Sequence, residues 1–220
     1  MNLSHYVIND VKPLDISADI HDVQVLFNQL TFSHVPVMEQ GRYLGCVSEA
    51  DAHCFQKDQK LDDCRYSIEN FFVRWDLNWL GVMEAFASND TNIMPVLDEK
   101  MTYLGYYELQ DVMHEFNDTP FMAEPGTTII VEKGFTDYSF SEVAQIVEGN
   151  GAKLYGAFIS KNENDLAQIT IKMSQGGLSE ILATFRRYSY NIITSSLDDE
   201  YLQSLRDRSE YFDRYLSMGS

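Results

Sequence analysis

The sequence predicts an α+β chain in which two helix–strand–strand–helix repeats precede a βαββαβ unit. Three observations predict it. One short motif occurs twice at a nearly constant offset. The segments around each copy carry apolar residues at helical and then strand spacing. After residue 126 the pattern changes to alternating strands and helices without a further copy of the motif.

The first helix is expected over Ile20–Thr31, where Val23, Leu26, Phe27 and Leu30 recur at helical spacing. Its counterpart is expected over Leu77–Ser88, with Leu80, Met83 and Phe86 on one face. Asp19 and Asp76 stand where N-caps belong. A short apolar strand, a polar turn and a second strand follow in each copy. The second strands are read at Tyr43–Val47 and Tyr103–Tyr107, and the second helices start at Ser48 and Glu108. Pro36 matches Pro95, Val37 matches Val96, Tyr43-Leu44-Gly45 matches Tyr103-Leu104-Gly105, and Asp51 matches Asp111. The spacing grows by one residue between the proline pair and the glycine pair, which places one extra residue in the second turn.

Residues 117–126, with two prolines and a Pro-Gly step, read as a linker. Beyond it, strands are expected at Thr128–Glu132, Lys153–Ser160, Ala167–Met173 and Asn191–Ser195. Helices are expected at Ser139–Glu148, capped by Ser139 or Ser141, and at Gly177–Tyr188. Lys161–Asp165 reads as a polar turn. This order is the ferredoxin-like arrangement. Residues 198–220 read as a terminal helix whose Tyr201, Leu205 and Tyr215 are expected to pack on the body or, second, on a partner subunit.

The strand-Pro-Val, turn, Leu-Gly-x-Val-Ser-x-x-Asp pattern resembles the cystathionine-beta-synthase (CBS) domain. Two copies look like one CBS pair over residues 1–118, with repeats at about 1–60 and 61–118. The βαββαβ unit at residues 127–197 resembles the ACT domain by topology and length. The whole order resembles bacterial acetoin-utilisation-type regulatory proteins.

In the CBS family the Ser/Thr-x-x-Asp element lines a cleft for adenosine-containing ligands. The chemistry is sound, because a helix N-terminus offers N–H groups to phosphate and a carboxylate accepts from a ribose diol. The resemblance assigns Ser48, Asp51, Pro36, Val35, Ile16 and Arg42 to the first cleft, and Pro95 and Asp111 to the second. Copy two has Glu108 where copy one has Ser48, and a carboxylate there repels phosphate. The expectation is one usable cleft and one that is empty or holds an uncharged nucleoside. The plainer reading stands beside it: Ser48 as an ordinary N-cap, Pro36 and Pro95 shaping edge strands, Gly45 and Gly105 permitting close backbone approach.

Basic residues near the presumed cleft are few: Arg42, Arg74 and Lys100. AMP, another adenine nucleotide without a long phosphate chain, or S-adenosylmethionine therefore suits the cleft better than a triphosphate. For the ACT-like unit, the stretch Glu132–Phe140 has Ser139 where amino-acid-binding members carry glycine, so the resemblance implies edge-to-edge dimerisation. It thus implies a homodimer reading an adenosine ligand, with a protein partner as the receiver.

The composition excludes several classes. With 34 acidic against 16 basic residues the net charge is -18, which disfavours nucleic acid and anionic membranes. The 45% hydrophobic content suffices for an ordinary core. No apolar run approaches a membrane span, and the opening residues lack a secretory signal. Three cysteines without CxxC spacing point to free thiols in a reducing cytoplasm. His5, His21, His34, His53 and His114 form no metal-ligand spacing, and no phosphate loop or nucleophile elbow occurs. The expectation is regulation by binding, not catalysis. The alternative is a structural dimerisation unit with vestigial clefts.

Overall fold

The computed structural model describes residues 3–193. The chain divides into two compact units, Met1–Asp118 and Thr119–Ser220.

In the first unit each repeat adds a short leading strand to the expected plan. Repeat one runs β1 (Leu14–Asp15), α1 (Ile20–Phe27), β2 (His34–Glu39), β3 (Arg42–Ser48) and α2 (Glu49–Cys54), then a 3-10 segment at Leu61–Ser67. Repeat two runs β4 (Val73–Arg74), α3 (Trp79–Asn89), β5 (Ile93–Leu97), β6 (Tyr103–Glu108) and α4 (Leu109–Asn117). Each forms a three-stranded sheet, ordered β1-β2-β3 and β4-β5-β6, with the leading strand parallel and the hairpin antiparallel. Ile20, Val23, Phe27, Val35 and Leu61 build the first core; Val82, Phe86, Ile93, Val96 and Tyr107 build the second. Each such buried Ile, Val or Phe contributes about 1.5–3 kcal/mol relative to exposure.

The repeats interlock by exchange. Ile8, ahead of repeat one, trades backbone hydrogen bonds with Tyr106 in β6 of repeat two (3.0 and 2.9 Å). Glu69, ahead of repeat two, trades them with Cys46 in β3 of repeat one (2.8 and 2.9 Å). Gly45 and Gly105 sit beside these crossings with φ of 155° and 151°, and a Cβ on either would overlap the carbonyl oxygen of Glu69 or Ile8. The glycines are there for close backbone approach.

Several local expectations are corrected. α1 ends at Phe27, because Gln29 and Leu30 tighten into bonds three residues back (3.0 and 3.2 Å) ahead of β-branched Thr31. The cap of α3 is Asn78, whose side chain accepts from the Gly81 N–H at 3.0 Å; Asp76 instead meets Arg74 at 3.3 Å. Pro36 and Pro95 lie on central strands, not edges. They pair opposite Cys46 and Tyr106, whose N–H groups point away to Glu69 and Ile8. The missing proline N–H therefore faces the leading strand, whose two residues pair only with Val37 and Met38, or Val96 and Leu97. The extra residue of the second hairpin lies between Leu97 and Tyr103.

The second unit begins with one helical turn, α5 (Pro120–Ala123), where the sequence reads as linker; Pro120 occupies the first helical position. It continues β7 (Thr127–Gly134), α6 (Phe140–Gly149), β8 (Leu154–Glu163), β9 (Leu166–Met173), α7 (Leu178–Arg187) and β10 (Asn191–Ile192). The sheet order is β10-β7-β9-β8, and Ile129, Val131, Ile169, Ile171, Val143, Ile181 and Phe185 form the core. β8 runs through Lys161–Glu163, which reads as a turn in sequence. The turn is only Asn164-Asp165, both left-handed (φ 52° and 59°), a geometry that matches strand twist. Thr194, Ser195 and the expected terminal helix lie outside the described residues.

The fold is thus α+β, with a pair of helix–strand–strand–helix repeats ahead of a βαββαβ unit. No helix among the described residues is long and apolar enough to cross a membrane.

Candidate functional site

In repeat one, β3 delivers Ser48 to the start of α2. Its backbone is extended (φ −81°, ψ 151°) and its Oγ accepts from the Asp51 N–H at 3.1 Å. The Glu49 N–H donates to the Ser33 carbonyl at 2.8 Å. Of the first helical N–H groups, those of Glu49 and Asp51 are thus engaged, and that of Ala50 has no acceptor within its own helix. Ser48 and Asp51 are both half-buried. The Ser48 O–H proton and the Asp51 carboxylate make no side-chain hydrogen bond or ion pair among the described residues.

Around this turn the side chains are polar and held. His34 pairs with Ser48 across the hairpin and is buried. Its Nδ1 lies 2.9 Å from Ser33 Oγ and its Nε2 3.4 Å from Glu69 Oε1. Ile16 and Val35 are core residues, and Pro36 follows on the same buried strand. Arg42 does not join them. It opens β3 while Ser48 closes it, and six steps of extended chain span about 20 Å.

In repeat two the corresponding turn is acidic. Glu108 begins α4 without a capping hydrogen bond from its side chain. Burial first, then Asp111 and Asp10, push its carboxyl above the ordinary range. Asp10 accepts from the Tyr106 hydroxyl and from the Val11 N–H, and these bonds hold it below that range. A cavity of about 260 Å³ opens here, lined by Thr31, Phe32, Asn92, Glu108, Leu109 and Gln110. Pro95 is buried on β5, and Asp111 is half-buried in the first turn of α4.

Two features escaped sequence reading. One is the contact that joins the repeats, from Ser33 to Asn92 (2.8 and 3.0 Å) and back (3.1 Å). Its signal is present: both residues directly precede matched strands. The other is a cavity of about 330 Å³ at the hairpin turns, lined by Arg42, Tyr43, Leu97, Lys100 and Met101.

Residues 3–53 match the family model described as CBS domain, so the chain contains a CBS domain in its first repeat. No curated protein matches the chain. Solved structures that resemble it include a CBS domain pair/ACT domain protein from Thermotoga maritima, at 21% identity over 53% of this chain and 96% of that one, with a TM-score of 0.48. The CBS domains of a transcriptional regulator from Streptococcus pneumoniae align at 21% identity over 52% and 98%, with a TM-score of 0.46. The cytosolic domain of the Mg2+ channel MgtE, solved in complex with ATP, aligns at 18% identity over 50% and 46%, with a TM-score of 0.44.

Proposed function

We propose that the chain is a non-catalytic regulatory module whose first repeat takes one adenosine-containing small molecule at Ser48 and Asp51. The observation that carries this reading is the contrast between the two turns. In copy one the Ser48 hydroxyl proton and the half-buried Asp51 carboxylate have no side-chain partner among the described residues. In copy two Glu108, Asp111 and Asp10 crowd the equivalent place with negative charge.

A ribose diol would donate to Asp51, and an uncharged group or a single phosphate would meet Ser48 and the Ala50 N–H. A six-residue helix beside Glu69 offers little to a triphosphate. AMP, adenosine or S-adenosylmethionine therefore ranks above ATP. Pro36, Val35 and Ile16 shape the floor of this cleft; Arg42 plays no part in it. The second cleft, at Pro95 and Asp111, admits at most an uncharged nucleoside.

The signal would pass through a cytoplasmic homodimer to a protein partner. The βαββαβ unit, ACT-like in topology, would contribute edge-to-edge pairing, and β8 is a sheet edge among the described residues. One observation favours the second reading, a structural dimerisation unit: Ser48 Oγ is already engaged as the cap of α2. Calorimetric titration with AMP, S-adenosylmethionine and ATP separates the two. Binding in which ATP is weakest supports the sensor; no heat with any of the three supports the structural unit.

A further inference from the structure

The protein carries 34 acidic residues against 16 basic ones, yet one cavity has two cations and no carboxylate in its lining. It lies at the turns of the two hairpins of the first unit. Arg42 comes from the first and Lys100 from the second, with Tyr43, Leu97 and Met101 between them. Tyr43 stacks on Tyr103 of the opposite hairpin, ring centroids 6.0 Å apart and ring planes nearly parallel at 6°, a contact that bridges the two hairpins.

Glu39 and Asp98, carboxylates on the same two hairpins, have other hydrogen-bond donors, and Asp98 also feels the charge of Lys100. Glu39, the cross-strand neighbour of Arg42, is held by Arg65 through two hydrogen bonds, at 2.5 and 3.2 Å. Asp98 accepts from the backbone N–H groups of Lys100 and Thr102, at 2.8 and 2.7 Å. Arg42 and Lys100 make no ion pair among the described residues. Tyr43 donates its hydroxyl to the Phe71 carbonyl at 2.6 Å, so it offers the cavity its ring and not its oxygen.

We infer that this cavity is a second binding site, for a small organic phosphate, distinct from the turn at Ser48 and Asp51. Its volume of about 330 Å³ falls within the range of small-molecule pockets and exceeds what a bare ion needs. Arg42 supplies the planar donor fork that matches phosphate, and Lys100 adds a second charge. Tyr43, Leu97 and Met101 receive the apolar body of the ligand. The far end of β3 separates this site from Ser48, so the two sites answer to different variants.

Phenyl phosphate is the probe, titrated into the full chain by calorimetry and followed by NMR of the Met101 methyl group. Saturable binding is expected, weakened about tenfold in Arg42→Gln and again in Lys100→Gln, and unchanged in Asp51→Ala. Inorganic phosphate should bind more weakly than phenyl phosphate, and phenol not at all. Both substitutions are at exposed positions, and circular dichroism checks that the variants fold. No saturable binding, or binding that survives in the double variant, overturns the inference. Loss of phenyl phosphate binding in Asp51→Ala overturns it too, by placing the probe in the other cleft.

Discussion

Ser33 and Asn92 hold the two repeats to each other by reciprocal hydrogen bonds. Asn92 Oδ1 accepts from the Ser33 N–H at 2.8 Å and from its hydroxyl at 3.0 Å, and the Asn92 N–H donates to Ser33 Oγ at 3.1 Å. A further bond runs from Asn92 Nδ2 to the Thr31 carbonyl at 2.7 Å. The same two residues fix the cleft helices, since their carbonyls accept from the Glu49 and Leu109 N–H groups at 2.8 and 2.9 Å.

Asn92→Ala removes three side-chain bonds at this junction and leaves the Ser33 N–H without its acceptor. It should cost about 3 kcal/mol, at roughly 1 kcal/mol for each bond. Both tryptophans, Trp75 and Trp79, lie in the first unit. Urea unfolding followed by their fluorescence therefore reads this unit alone. An unchanged midpoint would show that the junction is held by packing instead.

Gly45→Ala and Gly105→Ala should each destabilise the first unit by about 3 kcal/mol or more. A Cβ there meets a carbonyl oxygen of the crossing segment, and the left-handed backbone adds about 1–3 kcal/mol of strain. The two effects should be of similar size, because the crossings are equivalent. The same tryptophan-monitored unfolding measures both.

Glu108 gives a dependence on pH. Its folded pKa is raised above the ordinary 4.5 by burial and by its acidic neighbours. The folded chain therefore holds this proton more tightly than the unfolded chain does, and stability is lost as pH rises through the folded pKa. Glu108→Gln should raise the unfolding midpoint at pH 7, and the gain should vanish as pH falls below 4.5. A gain that persists at low pH would assign the effect to something other than ionisation.

The fold was legible because both its periods are strong. The repeat appears as Pro36 with Pro95 and Gly45 with Gly105, and the α6 and α7 stripes are plain in sequence. The leading strands β1 and β4 were not legible, since two residues carry no periodicity. Lys161–Glu163 reads as a turn because an exposed edge strand needs no apolar side chain. Of the candidate site, the local turn from Ser48 to Asp51 was legible, because its spacing is fixed by the helix. What sequence could not show is which distant residues share a cavity. The resemblance assigns Arg42 to the cleft of Ser48, but an extended strand carries these residues apart and places Arg42 beside Lys100.

The central claim is that the turn at Ser48 and Asp51 is the adenosine cleft and that its counterpart at Glu108 and Asp111 is not. Calorimetric titration of AMP into the full chain, its Asp51→Ala variant and its Asp111→Ala variant tests this directly. One site per chain is expected, weakened at least about tenfold by Asp51→Ala through loss of the hydrogen bonds to the ribose, and unaffected by Asp111→Ala. Binding that survives Asp51→Ala, or that disappears in Asp111→Ala, would contradict the account.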